Sequence, residues 1–385
     1  MYQIFRHPHT MIYNFSELRK VSGLLTIIRL SCSKLTKVQR FQFFFRWCVR
    51  YFFFQSTLDF RNTVITKNIN NIAIYQYLGR PDLENSYLIG DFPPNSVTLR
   101  IRQRFSLKFK KIVRVIEIFL MQNPSINKAL FRIALLELDE IFETIKNNNE
   151  ILNKKFFSYN ERQYWEGLWC IALQKNEILT YGFTHGFYRD TGRICSFSNS
   201  NPYNYLYQIS KKQICWGEIQ KKIMSKYDTS NTDYIVLGKR DLIVRPASTN
   251  ISKGRTLNVL ILDSKELTEL NVNTLDSLRA IEKNILVKKH PDDQFDYGLP
   301  SIADLSEVLD DVAIFWGTNS SAILQIGRAG HRVGISKKSD FLQYIDSKYY
   351  ERKGTFYIIN QDYDWAPFIN LTGNDYLQAF QRKCL

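Results

Sequence analysis

Beyond residue 256 the chain settles into short apolar runs separated by amphipathic stretches. Residues 258–263, 285–288, 312–315 and 332–335 read as strands. Residues 274–282, 301–309 and 320–329 read as helices, because their apolar positions recur three and four apart. Strands alternating with helices predict an α/β class with a parallel sheet. The first half is less even. Residues 125–146 carry one apolar stripe through Leu130, Ile133, Ala134, Leu138, Ile141 and Ile145, with Ser125 as N-cap. Ser158 and Glu161 have the spacing of a capping box, opening a helix that runs to about residue 175. Further strands are expected within 62–77 and over 178–181 and 234–238, with a surface loop at 199–204. Residues 247–255, rich in Ser, Asn and Lys, read as an interdomain linker, and the segment from Asn374 as a final helix.

The N-terminal residues 1–60 are a distinct basic, aromatic region, with nine Lys and Arg against Glu17 and Asp59. Phe41, Phe43, Phe44, Phe45, Trp47, Tyr51, Phe52, Phe53 and Phe54 crowd one stretch, punctuated by Arg40, Arg46 and Arg50. Two readings stand side by side. Such a helix can lie in a membrane interface, or pack into its domain while its arginines reach back to water. Residues 100–114 are a second basic segment without an acid, whose pattern changes from alternating to helical near Ser106.

A chain of 385 residues is comfortable for two domains, and 44% apolar content supplies their cores. The net charge of +15 calls for an anionic partner: nucleic acid, a phospholipid surface or a phosphorylated substrate. Six cysteines without CxxC spacing suggest neither a zinc site nor a disulfide framework, and fit a reducing compartment. No uncharged apolar run is long enough to span a bilayer, and the first residues lack a signal-peptide core. A cytoplasmic protein is therefore expected.

Three short constellations carry candidate chemistry. His290-Pro291 follows an apolar strand, and proline holds the preceding histidine out of the α conformation. Lys288 and Lys289 add positive potential there. Gly317, Thr318, Asn319, Ser320 and Ser321 join the strand ending near Gly317 to the next helix. Helix N-termini at the carboxyl edge of a parallel sheet offer N–H groups to phosphates, though the same hydroxyls can simply cap the helix. Thr184-His185-Gly186 follows the strand expected at 178–181, where an imidazole suits proton removal. Glu166 and Asp190 are reserve candidates for that base. No Walker loop, GxGxxG, HExxH or GxSxG is present, and the scattered His and Cys point to no metal.

In this order the constellations resemble bacterial glycosyltransferases of the GT-B class that build capsules and other surface polysaccharides. His290-Pro291 and Ser320-Ser321 are similar to the His-Pro and Ser-Ser or Ser-Thr motifs of sialyltransferases, polysialyltransferases and Kdo-type capsule transferases. His185-Gly186 and His290 resemble the two histidines of CDP-glycerol glycerophosphotransferases. The likeness spans roughly residues 234–336, is thinner over 178–217 and is absent before residue 150. Where sialyltransferases carry an acidic pair followed by glycine, this chain has only Trp165-Glu166-Gly167.

The resemblance implies two Rossmann-like domains facing across a cleft. Residues 61–246 would form the acceptor side and 256–355 the nucleotide-sugar side, with 356–385 crossing back to the first. It implies metal-independent chemistry, with inversion at the anomeric carbon as the outcome of a single displacement. The donor would be a nucleotide-activated sugar, CMP-sugars among the candidates, and the acceptor a glycan or lipid-linked glycan. His185 would be the base, and His290, Ser320 and Ser321 would hold the nucleotide phosphate. No cofactor or metal is expected. The basic N-terminal region would sit on the anionic inner leaflet of the bacterial inner membrane. A nucleic-acid-binding protein and a sugar-nucleotide epimerase of the same architecture remain the alternatives.

Overall fold

The computed structural model describes residues 17–22, 24–25, 36–58, 71–75, 96–106, 126–149, 151–152, 154–158, 164–183, 208–228, 230–242, 244–247, 256–263, 267–290 and 293–384. Residues cluster into two compact units. The first comprises residues 1–185, 203–214 and 227–235, and the second residues 186–202, 215–226 and 236–385. Both are α/β with largely parallel sheets, which matches the expected fold class.

The first unit is built on a seven-stranded sheet. Its strands are β1 (Phe54–Leu58), β2 (Asn71–Tyr75), β3 (Ser96–Phe105), β4 (Lys155–Ser158), β5 (Thr180–Phe183), β6 (Lys212–Cys215) and β7 (Asp233–Val236), in the order β1-β3-β2-β4-β5-β6-β7. β1 pairs antiparallel with β3, while β3, β2, β4, β5 and β6 run parallel. Parallel strands with both faces covered need apolar side chains on both, and every residue of β5 is buried.

Helices α1 (Lys37–Phe53), α2 (Ile126–Lys146) and α3 (Tyr164–Lys175) of this unit precede or connect those strands. Thr36 and Gln39 form a reciprocal capping box at the start of α1. The apolar stripe of α2 is buried from Leu130 through Ile145, as its period requires. α3 is buried all round from Trp165 to Leu173, so it has no polar face to mark its register. Phe44, Cys48 and Tyr51 of α1 enter the same core. Arg50 lies 4.2 Å from the Trp47 ring and 4.4 Å from that of Trp165, which lets its charge pack against aromatic faces.

The second unit carries a six-stranded sheet in the order β12-β13-β11-β10-β8-β9. Its strands are β8 (Leu257–Ile261), β9 (Ile285–Lys288), β10 (Val312–Gly317), β11 (Val333–Ser336), β12 (Tyr350–Lys353) and β13 (Phe356–Ile359). β9, β8, β10 and β11 are parallel, and an antiparallel hairpin, β12–β13, finishes one edge. Its helices are α4 (Glu218–Tyr227), α5 (Thr268–Arg279), α6 (Ser321–Arg328) and α7 (Tyr376–Cys384), α4 ending where the two units divide.

Three elements differ from the expected pattern. The segment 301–309 is not a helix: residues 300–302 bond Val287 of β9, and only Leu305–Glu307 forms a single turn, capped by Asp304. α5 begins at Thr268 rather than 274, because its first two turns bury Asn271 and Thr274 in polar contacts that hydrophobic periodicity cannot register. Ser158 caps no helix. It is the last residue of β4, and α3 starts at Tyr164. Ser125 lies outside the described residues.

α6 ends in a Schellman motif. Gly330, at φ +87°, donates to the carbonyl of Gly327, and His331 donates to that of Ile326. Gly327 has a separate role, since a Cβ there would stand 2.4 Å from Cε2 of Trp365. Gly327→Ala therefore sets about 1 kcal/mol of helix propensity against overpacking that costs about 1–3 kcal/mol. The overlap is with a buried ring, so we expect net destabilisation, read as a lower midpoint in denaturant unfolding.

Candidate functional site

In the second sheet β9 follows β8 on one side while β10 lies on its other side. The strand order therefore reverses between β8 and β10, and the crevice at their carboxyl ends is where ligands of open α/β sheets collect. Two of the three constellations flank this point. The His290 turn follows β9, and Thr318 to Ser320 connect β10 to α6.

A chain of hydrogen bonds joins those two turns. Asp293 donates its backbone N–H to the carbonyl of His290 at 2.9 Å, closing the turn. Its carboxylate accepts from the Tyr297 hydroxyl at 2.6 Å and from the Phe295 N–H at 3.0 Å. Asn271 of α5 donates to the Tyr297 hydroxyl at 3.2 Å. The same amide grips Asp263 just beyond β8: its Oδ1 accepts the Asp263 N–H at 2.9 Å and its Nδ2 donates to the Asp263 carbonyl at 3.0 Å. The Asp263 carboxylate in turn accepts the Asn319 N–H at 3.3 Å. Asp263, Asn271, Asp293 and Asn319 are all buried.

The expected donor-site residues divide by burial. Gly317, Thr318 and Asn319 are buried. The Thr318 hydroxyl faces that of Thr274 at 3.2 Å. The Asn319 Oδ1 accepts the Asp340 N–H at 2.9 Å and the Ser339 hydroxyl at 3.3 Å, while its Nδ2 is buried without a partner. The Thr318 and Asn319 side chains shape the turn from within. Ser320, Ser321 and His290 are half-buried. Ser320 caps α6, accepting the Ala322 N–H at 3.4 Å. Lys288 is also half-buried, and its Nζ donates to the carbonyl of Ala303 at 2.6 Å. Pro291 lies outside the described residues.

Sequence reasoning passed over Asp263, Asn271, Asp293 and Tyr297. Two signals were present. Asp263 is an acid ending an apolar strand, and Asn271 is a poor helix former inside a helix, a placement that usually signals a tertiary bond.

The first sheet has its own reversal, between β2 and β4. Ser158 ends β4 there, and its hydroxyl donates to the Glu166 carboxylate at 2.7 Å. Glu166 is 1% exposed in the first turn of α3. His185, Gly186 and Asp190 lie outside the described residues.

A cavity of about 430 Å³ opens at the opposite edge of this sheet, beside the starts of β5 and β6. Its polar groups already bond one another. Lys20 donates to Gln174 at 2.8 Å and to the carbonyl of Ile209 at 2.9 Å, and Lys175 pairs with Glu17 at 3.1 Å. Burial pushes the Cys48 thiol up to about 11, which suits packing rather than nucleophilic chemistry. Among the described residues no group of three or more His, Cys, Asp or Glu could hold a metal ion, and no helix is long and apolar enough to cross a membrane.

No family model and no curated protein matches the chain. Several solved structures are similar in outline. A UDP-GlcNAc 2-epimerase from Neisseria meningitidis, bound to UDP-GlcNAc, is 10% identical over 81% of this chain and 90% of its own, with a TM-score of 0.39. A UDP-GlcNAc 2-epimerase from Methanocaldococcus jannaschii is 12% identical over 68% and 82%, at 0.35. A UDP-glucosyltransferase from Polygonum tinctorium is 8% identical over 69% and 79%, at 0.37. Likeness this slight assigns no activity.

Two outcomes test the network. Asn271→Ala strands the buried N–H and C=O of Asp263, at a cost of about 2–4 kcal/mol in denaturant unfolding. Burial and the bond to Asp293 raise the Tyr297 phenol from 10.0 to about 12. Its contribution to stability is complete below pH 10 and is lost as the pH climbs toward about 12. Tyr297→Phe should therefore flatten the fall of unfolding free energy across that window.

Proposed function

We propose that this chain acts on a nucleotide-activated sugar, and that its reaction is transfer of the sugar to a glycan hydroxyl. The observation that supports this best is the β8–β10 crevice, where a bonded scaffold fixes the His290 turn and the N-terminus of α6 at one strand reversal. The nucleotide phosphate would take hydrogen bonds from the Ser321 N–H at the start of α6 and from the hydroxyls of Ser320 and Ser321. His290 would add a donor to the same phosphate, and Lys288 positive potential.

In the displacement, the acceptor oxygen bonds to the anomeric carbon while the bond from that carbon to the phosphate oxygen breaks. The acceptor proton passes to the base, for which His185 is our candidate. The electron pair leaves with the nucleotide, whose charge the α6 donors and His290 stabilise. Glu166, sealed beneath Ser158, fits better as a holder of β4 than as that base. The acceptor we propose is a surface glycan, free or lipid-linked, and the product an inverted glycoside. The donor base and sugar follow from experiment: CMP, CDP, UDP and GDP are the first nucleotides to screen.

The intact chain should gain a few degrees of thermal stability with one of these nucleotides, since about 2.7 kcal/mol accrues at a hundredfold excess over Kd. No shift with any of them would contradict the reading. His290→Ala should lower turnover by about 10²–10³, whereas His185→Asn should bind nucleotide and fail in transfer. Glu166→Gln, which retains an acceptor for Ser158, should transfer at close to the normal rate. An altered sugar nucleotide formed without acceptor would identify epimerisation instead.

A further inference from the structure

Helix α1 carries two adjacent apolar stripes, of which one is buried and the other exposed among the described residues. Phe44, Cys48 and Tyr51 are buried in the core of the first unit. Val38, Phe41 and Phe45 form a second stripe, at three- and four-residue spacing, and stand 67%, 62% and 53% exposed. The chain then turns from α1 into β1, where Phe54 pairs across the sheet with Phe105 of β3. Phe105 is 68% exposed and stacks on Phe53 at 6.0 Å between ring centres. Five of the seven exposed large apolar side chains among the described residues thus fall on α1 and the β1–β3 corner. Soluble proteins rarely leave such a cluster in water without a use for it.

The charge on the same elements is one-sided. Apart from Arg50, whose guanidinium packs against Trp47 and Trp165, α1, β1 and β3 hold six Lys and Arg (Lys37, Arg40, Arg46, Arg100, Arg102 and Arg104) and no Asp or Glu. A second copy of this chain is a poor occupant, since each copy carries a net +15. An aromatic and aliphatic stripe beside arginines, on a helix too short and too polar to span a bilayer, matches the chemistry of an anionic lipid interface.

We infer that α1 and the β1–β3 corner form a membrane-docking face, which inserts Val38, Phe41 and Phe45 among the headgroups of anionic lipids. The helix lies flat, its buried stripe holding the protein and its exposed stripe entering the bilayer surface. This inference is independent of the sugar-transfer reading, because no nucleotide or sugar takes part in docking.

The test is sedimentation of the full chain with vesicles of phosphatidylcholine alone and of phosphatidylcholine containing phosphatidylglycerol. The chain should pellet with the anionic vesicles, weaken with added salt, and bind the neutral ones poorly. A Val38→Ser, Phe41→Ser, Phe45→Ser triple variant should lose at least about tenfold in affinity. Arg46→Gln should lose roughly fivefold. Circular dichroism confirms that the variants fold, and Phe41→Asp alone serves if the triple variant does not. Absence of binding, equal binding to neutral vesicles, or unchanged binding by the variants would overturn the inference. So would either of two alternatives: a vesicle-independent dimer that the variants dissociate, or a single-stranded RNA complex that they abolish while vesicles are ignored.

Discussion

The second unit depends on how one asparagine is spent. Asn271 uses its amide oxygen and nitrogen to close the backbone of Asp263, and still reaches the Tyr297 hydroxyl. Tyr297 then holds Asp293, which closes the His290 turn, while the Asp263 carboxylate receives the start of the β10–α6 connection. Four buried polar side chains thereby fix two loops that hydrophobic packing alone would leave loose. Buried polar groups are tolerable only when their bonds are made, and each bond here is one that fixes the crevice. Most buried amides at this edge are satisfied; the Nδ2 of Asn319 is the buried donor left over.

The strands and helices that announce themselves by apolar period were legible in the sequence. The stripe of α2 and the runs of β8, β9, β10 and β11 fall close to where their patterns put them. Even the change of rhythm near Ser106 marks the end of β3 at Phe105. Elements whose signal is polar were not legible. The first turns of α5 bury Asn271 and Thr274, so the helix looked shorter than it is. Ser158 and Glu161 have capping-box spacing, yet Ser158 belongs to β4 and bonds Glu166. The 301–309 stretch has a helical period, but residues 300–302 are claimed by β9. The hairpin β12–β13 went unnoticed beside the parallel rhythm around it. The candidate site follows the same rule. Its hydroxyls and imidazole were visible as motifs, whereas the scaffold that orients them is made of long-range bonds no local pattern records.

α1 shows why two readings of one aromatic block can both contain part of the answer. A packed helix accounts for Phe44, Cys48, Tyr51 and the Arg50 side chain between two tryptophans. It does not account for Val38, Phe41 and Phe45, which stand exposed. One step along a helix turns the side chain by about 100°, enough to separate buried Phe44 from exposed Phe45, and composition alone cannot tell them apart.

The most direct measurement is hydrogen exchange of the intact chain with and without CMP, CDP, UDP or GDP. A nucleotide held in the β8–β10 crevice predicts added protection in the peptides containing Asp263, His290 and Thr318 to Ala322, and little elsewhere in the second unit. Protection that leaves those three peptides untouched, with any of the four nucleotides, would contradict the account.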